Sequence, residues 1–343
     1  MEPLTHLLFG ANLGRAGLNR KTAYATLALT LAAEAPDLDV LGRFGGSAFG
    51  FEHHRGFTHS FLGGILVSAL VVGFVYLVHK LRRRPRAVDL PPPRWGWLLA
   101  YAYLACLSHI LLDFTNNYGV HPFWPFSARW YSWDIVFIVE PVLLVFLVGG
   151  LVAPLLTSLI NEEIGARQKG FRGKLAARVA LAGVVLTWGV RDYEHRRAVS
   201  ALESRLYQDE TPLRVSAYPH MANPMSWYGV VETAKFYATM NVDSSTPEVD
   251  SENSLRVHYR ADPTPPAEAA RKTPLGRYFF SWAQYPITET ETLTDPAGYR
   301  VRLFDLRFGD PQLGLVIGKV GGKRPLVFEV DLDWQLREVP ERP

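Results

Sequence analysis

The sequence of 343 residues contains one cysteine, Cys106, so a disulfide framework is excluded. Cys106 lies inside an apolar segment and reads as a small core residue. A strong charge of either sign is also missing, because 36 Lys and Arg against 33 Asp and Glu leave a formal charge of +3. No basic stripe suited to a nucleic acid is present, and that class of partner is set aside. The N-terminal MEPLTHLLFG has neither a basic n-region nor a small-residue cleavage site, so it is not expected to be a signal peptide. No internal repeat is evident. Long apolar runs are scarce after residue 200, whereas residues 1–190 hold nearly all of them. The expected fold is therefore a mainly α-helical integral membrane domain followed by a β-rich soluble domain. The expected boundaries are 1–190 for the membrane domain, 191–211 for a helical stalk and 212–343 for the β-rich domain.

Pro3–Leu13 and Thr22–Ala35 are apolar but shorter than the roughly 20 residues of a spanning helix, and suit a short helical hairpin. About four longer segments follow: Phe61–Val78, Trp95–Leu112, Ile135–Ile160 and the weaker Leu175–Val190. Thr58 or Ser60 suits the N-cap of the first. Residues 114–134 form an aromatic, Pro-containing loop suited to the headgroup level, with His121 an interfacial residue. Glu140, with Pro141, interrupts the longest apolar run and reads equally as functional or as a satisfied kink. Beyond Thr211, alternating runs predict strands at Trp227–Thr233, Lys235–Val242, Tyr299–Phe304, Leu313–Ile317 and Leu326–Val330. Gly321-Gly322 marks a turn, and the Ser- and Pro-rich stretch 244–275 reads as a long loop.

Basic residues collect in alternate turns: Arg15, Arg20 and Lys21; Lys80 to Arg94; Arg167 to Arg178. These turns belong in the cytoplasm by the positive-inside rule. The opposite segment ends then carry His6, Asp37, Asp39, His53, His54, His59, His109 and Asp113, all on one face. A spanning Leu175–Val190 would also put the β-rich domain on that face.

Phe51–Ser60, FEHHRGFTHS, is the densest part of this set, with His54 and His59 on either side of a turn at Gly56. His109 and Asp113 are four apart and share a helix face. Asp37 and Asp39 follow Pro36 in what reads as an extended dipeptide. Imidazoles and carboxylates together suit zinc first, with manganese or iron as alternatives, as one ion or two. Asp39 or Asp113 can instead serve as a general base, and Arg55 as a partner for a phosphate oxygen. Glu52 and His53 suit supporting or surface roles better than ligation.

These motifs resemble the YdjM-like family of bacterial inner-membrane proteins, described as membrane-bound metal-dependent hydrolases. The resemblance is carried by Pro3-Leu4-Thr5-His6, Pro36-Asp37-Leu38-Asp39, His54-Arg55-Gly56-Phe57-Thr58-His59-Ser60, Ser108-His109-Ile110-Leu111-Leu112-Asp113, Asn117-Tyr118-Gly119 and Trp133-Asp134. It covers about residues 1–200 and leaves the β-rich part unexplained. It implies metal-dependent hydrolysis, with His6, Asp37, Asp39, His54, His59, His109 and Asp113 as ligands. The expected activity is hydrolysis of an ester, a phosphoester first, in a lipid or amphipathic substrate at the bilayer surface. The expected location is the bacterial inner membrane, with the site on the non-cytoplasmic face. A metal or proton transporter and a metal-stabilised scaffold are the alternatives.

Overall fold

The computed structural model describes residues 1–82, 91–163, 173–246, 248–249, 254–260, 264–295, 297–313 and 326–339. The basic runs at 83–86 and 167–172, most of the strand expected at 313–317 and the turn at 321–322 lie outside these residues. The chain divides into two compact units, Met1–Arg191 and Asp192–Pro343.

The first unit is helical. Its first helix, α1 (Pro3–Arg15), is capped by Glu2, whose carboxylate accepts from the Thr5 amide. It pairs with α2 (Ala25–Glu34) at very short range. A Cβ on Gly10 would lie 2.6 Å from the Leu29 carbonyl oxygen, and one on Gly14 would lie 2.7 Å from Thr26 Oγ1. Two glycines four apart thus let the backbones meet, the small-xxx-small device of close-packed membrane helices. Asn12 ties α1 to a later helix, donating from Nδ2 to the Leu147 carbonyl at 2.9 Å.

Pro36 has no N–H with which to prolong α2, and the chain tightens into a 3-10 helix, Ala35–Gly45. Asp37 and Asp39 therefore lie on a helix and not in the extended dipeptide expected. A 3-10 helix repeats every three residues, so Leu38, Leu41 and Phe44 form one edge. They are 61%, 56% and 91% exposed. Next come α3 (Ser47–His53), a 3-10 turn at Phe57–His59, α4 (Phe61–Leu81) and α5 (Trp95–Phe114). Ser60 is the N-cap of α4, accepting from the Gly63 amide at 2.9 Å. Val67 and Val71 of α4, Ala102 and Cys106 of α5, and Leu29 and Ala32 of α2 share one buried cluster.

The apolar run Ile135–Ile160 does not form one helix. The helix α6 (Pro141–Glu163) starts at the proline, where no amide is needed, and Ile135 and Val136 are buried ahead of it. The segment 175–190 and the polar stretch after it are one helix, α7 (Gly173–Glu203). Among the described residues, α4, α5, α6 and α7 are long and apolar enough to cross a membrane. Within the first unit, Glu140 accepts from Arg191 Nη2 at 2.6 Å, both side chains being buried.

The second unit is built on antiparallel sheets. Strands β1 (Arg214–Pro219), β2 (Ser226–Glu232) and β3 (Phe236–Asp243) run in order; β4 (Glu248–Val249) and β5 (Arg256–Tyr259) both pair with β3. Strands β6 (Pro286–Thr294), β7 (Ala297–Asp305) and β8 (Phe328–Leu332) form a second sheet. Trp227, Ala238 and Met240 pack on Ala198 and Leu202 of the last turns of α7. The region read as a long loop, 244–275, contains β4, β5 and all of α8 (Pro265–Lys272), and ends in the first residues of α9 (Pro274–Trp282). Prolines suggested a loop, yet Pro265 and Pro266 occupy the first turn of α8 behind the Thr264 cap, where proline is favoured.

Candidate metal centre

Three elements of the first unit bring four polar residues together. Asp37 comes from the 3-10 helix, His59 from the turn before α4, and His109 and Asp113 from α5. One ligand atom from each lies within 4.8 Å of all the others. His59 Nε2 is 3.0 Å from His109 Nε2, 3.3 Å from Asp37 Oδ1 and 3.2 Å from Asp113 Oδ2. His109 Nε2 is 3.5 Å from both Asp37 Oδ1 and Asp113 Oδ2.

The outer atoms of His59, His109 and Asp113 are already engaged, which decides what their inner atoms offer. His109 Nδ1 lies 2.6 Å from the Ala33 carbonyl, so the proton of a neutral ring is assigned there. His59 Nδ1 faces the Thr58 hydroxyl at 3.1 Å and Asp39 Oδ2 at 3.2 Å, which fixes its proton in the same way. Both Nε2 atoms then turn bare lone pairs inward. Asp113 Oδ1 accepts from Arg55 Nη2 at 3.0 Å and also contacts the Met1 amino group. Asp113 Oδ2 is buried with no hydrogen-bond partner. Two imidazole nitrogens and two carboxylate oxygens face one point without a donor between them, an arrangement that a cation relieves. Bonds of about 2.0–2.1 Å to a tetrahedral ion put ligand atoms about 3.3 Å apart, and the five separations above are close to that. This His/Asp group can therefore hold a metal ion.

The remaining expected residues surround that group. His6, fully buried on α1, stacks on His109 with ring centroids 3.8 Å apart, and its Nε2 is 3.4 Å from Asp113 Oδ1. Neither nitrogen of His6 has a hydrogen-bond partner. Asp39 is fully occupied by the turn it organises: it accepts from His54 Nδ1 at 2.9 Å, the Arg55 amide at 2.8 Å and the Thr58 hydroxyl at 3.0 Å. Burial opposes charge on Asp39, but hydrogen bonds from His54 and His59 outweigh it and hold the carboxyl below the usual carboxylate range. Burial pushes His54 below its ordinary value, which keeps it neutral as a donor to Asp39. Asp39 and His54 thus support His59 and stand outside the four-atom group.

Arg55 differs most from its expected role. Its backbone is left-handed, with φ at 59°, and its side chain is buried. The guanidinium donates to Asp113, to Asn116 Oδ1 at 3.2 Å and to the Gly119 carbonyl at 3.2 Å, and lies over the Tyr118 ring. It holds Asp113 in place instead of reaching out for a phosphate. His53 turns away, bonded to the Phe49 carbonyl and exposed, and Glu52 is exposed as well. His121 is buried against Trp130, with ring centroids 3.7 Å apart.

One residue escaped notice in the sequence. Glu34, the last residue of α2, is half-buried, and burial together with the charge of Asp37 pushes its carboxyl up to about 7. Its only signal is its place three residues before Asp37, across Pro36.

Comparison with known proteins bears on the helical part. The Uncharacterized protein YfhP of Bacillus subtilis is 29% identical over 153 residues, covering 42% of this chain and 43% of that protein. The chain thus matches less than half the length of this relative. No solved structure matches. The profile of the YdjM inner membrane protein family matches residues 1–198, which contain every residue of the centre, the apolar helices α4, α5 and α6, and α7 up to its last five residues. The chain belongs to the YdjM inner membrane protein family and is an integral membrane protein.

Proposed function

We propose that the chain is a membrane-embedded metal-dependent hydrolase that cleaves an ester, a phosphoester first, in a lipid or amphipathic substrate at the membrane surface. One observation carries this reading: four inward-facing acceptors, Asp37 Oδ1, His59 Nε2, His109 Nε2 and Asp113 Oδ2, converge next to the ends of apolar helices. A divalent ion held there supplies Lewis-acid polarisation of a phosphoryl or carbonyl oxygen. Asp39 fixes the ring of His59, and the Ala33 carbonyl fixes that of His109, so both present Nε2. Arg55 holds Asp113 Oδ1 and leaves Oδ2 facing the centre. Glu34 adds a carboxyl able to take up and release a proton near neutral pH.

The number of ligands bears on the metal. Four protein ligands close the tetrahedron of a zinc ion, as in structural sites. An ion that accepts five or six ligands, such as manganese or iron, keeps positions open for substrate. The hydrolase reading therefore goes with the second kind of ion, and zinc goes with the scaffold alternative. Transport loses its support, because Glu140 is paired with Arg191. The non-cytoplasmic face is supported by Arg15, Lys80, Arg82 and Arg94, which sit at the helix ends away from His6, His59 and Asp113.

The test is hydrolysis by purified protein in lipid nanodiscs, with metal content measured on the same sample. A broad panel of lipid phosphoesters and carboxylic esters is offered with manganese, iron or zinc. Turnover lost in His59→Ala and Asp113→Ala supports the proposal. A fully loaded protein that hydrolyses nothing, or variants that turn over like the parent, overturns it.

A further inference from the structure

Beside the His/Asp centre lies a second, chemically opposite feature. A cavity of about 450 Å³ opens between the start of α4, the end of α5 and the aromatic loop after it. Leu107, Ile110, Leu111 and Phe114 supply one wall, at the i, i+3, i+4, i+7 spacing of a single helix face. Each α-helical residue advances about 100°, so this face is one step around α5 from His109 and Asp113. Phe61, two residues after His59, supplies the facing wall. The Phe61 amide donates to the Pro122 carbonyl at 2.9 Å, and Val120 and Tyr131 exchange two backbone hydrogen bonds. Those bonds fasten the loop over the cavity, and the Phe61 and Phe123 rings meet edge to face, 5.4 Å apart.

The lining is apolar throughout, which makes water a poor occupant. The volume falls within the range of sites that hold small molecules. Phe61, Leu111 and Phe123 are 40%, 42% and 47% exposed, and α4 and α5 are two of the helices able to cross the membrane. The cavity is thus continuous with surface that bilayer hydrocarbon covers, and its walls belong to the same helix ends as the polar centre. We propose that it is an acyl-chain site, occupied by one hydrocarbon chain of a membrane lipid whose polar head lies toward Asp37, His59, His109 and Asp113. That the lipid is a substrate rests on the hydrolase reading; that a chain is held does not.

The experiment uses the full chain in nanodiscs containing phosphatidylglycerol with a diazirine on one acyl chain. Cross-linked peptides are identified after illumination, and Leu107→Trp and Leu111→Trp fill the cavity from two positions. The expected result is labelling concentrated in residues 107–123 and reduced at least fivefold by either variant. Labelling of exposed Val145 and Leu155 on α6, and metal content, stay as in the parent. Equal labelling of both regions, or labelling that neither variant changes, means ordinary bilayer contact and overturns the proposal. A second arm compares a long-chain ester with a short, water-soluble one. Loss of the long-chain rate alone in the Trp variants shows that the chain belongs to the substrate. Absence of turnover in the parent defeats the hydrolase reading, while the labelling arm still decides the chain site.

Discussion

Asp39 Oδ2 lies 3.2 Å from Nδ1 of His59, on the side of the ring away from the centre. The carboxylate fixes the ring's tautomer and direction without contributing an atom to the four-ligand group. Outer partners of this kind are worth about 10–100-fold in metal affinity. Asp39→Asn is therefore expected to weaken binding by about that factor, whereas His59→Ala removes a ligand and abolishes it. Competition with a chromophoric chelator reads both. An Asp39→Asn protein that binds like the parent contradicts this division of roles.

Glu34 sets an expected pH dependence. Its carboxyl, raised to about 7 by burial and by Asp37, is protonated in a mildly acid solution and ionised above neutrality. Asp39, held below the usual range, stays ionised throughout. An infrared difference spectrum between pH 5.5 and pH 8.5 should contain the band of one carboxylic acid that Glu34→Gln removes. If turnover is present, its acidic limb should move with the same substitution. A band that persists in Glu34→Gln belongs to another residue.

The pair Glu140 and Arg191 is buried at 2.6 Å. Removing one partner of such a pair leaves an uncompensated charge, at about 3–5 kcal/mol. Glu140→Gln and Arg191→Gln should each lower thermal stability by that order. The double variant Glu140→Leu/Arg191→Leu should lose less than the two single losses added together. Strict additivity in a thermal melt would mean that the two side chains do not interact.

Gly63 lets the His59 turn sit against the first turn of α4. A Cβ there would be 1.8 Å from the Phe57 carbonyl oxygen, so Gly63→Ala must displace the turn that carries His59. Gly73, on the same helix, has nothing within 4 Å of its added Cβ. Gly63→Ala should cut metal binding at least tenfold and Gly73→Ala should leave it unchanged, both read by metal content after dialysis. Equal retention would show that the turn tolerates the shift.

The polar ends of the apolar segments were legible because basic turns alternate with them. That alternation placed His6, Asp37, His59, His109 and Asp113 on one face, and the structure brings them together. The ranking within the set was not legible. His54 and His59 carry the same ring, and they differ in which partner meets Nδ1 and what Nε2 faces, which depends on the 3-10 geometry of two short segments. Arg55 looked available for a phosphate because its left-handed backbone, which turns the side chain inward, has no signature in a Gly-containing turn. Glu34 lies in no motif, and its raised carboxyl comes from neighbours folded around it. In the second unit, the two prolines that open α8 carry the same letters whether they break a helix or begin one.

The 3-10 helix Ala35–Gly45 presents two kinds of surface at once. Two edges hold Asp37 and Asp39 against imidazoles, and the third presents Leu38, Leu41 and Phe44 outward. If that outward edge rests on bilayer hydrocarbon, a thin detergent belt leaves it facing water, and burying those side chains elsewhere means rotating the helix. Asp37 rotates with it. The lipid then acts as a bearing for the centre, and loss of metal on extraction should precede loss of helix content. Hydrogen exchange at residues 35–45, compared between nanodiscs and detergent, measures that order of events.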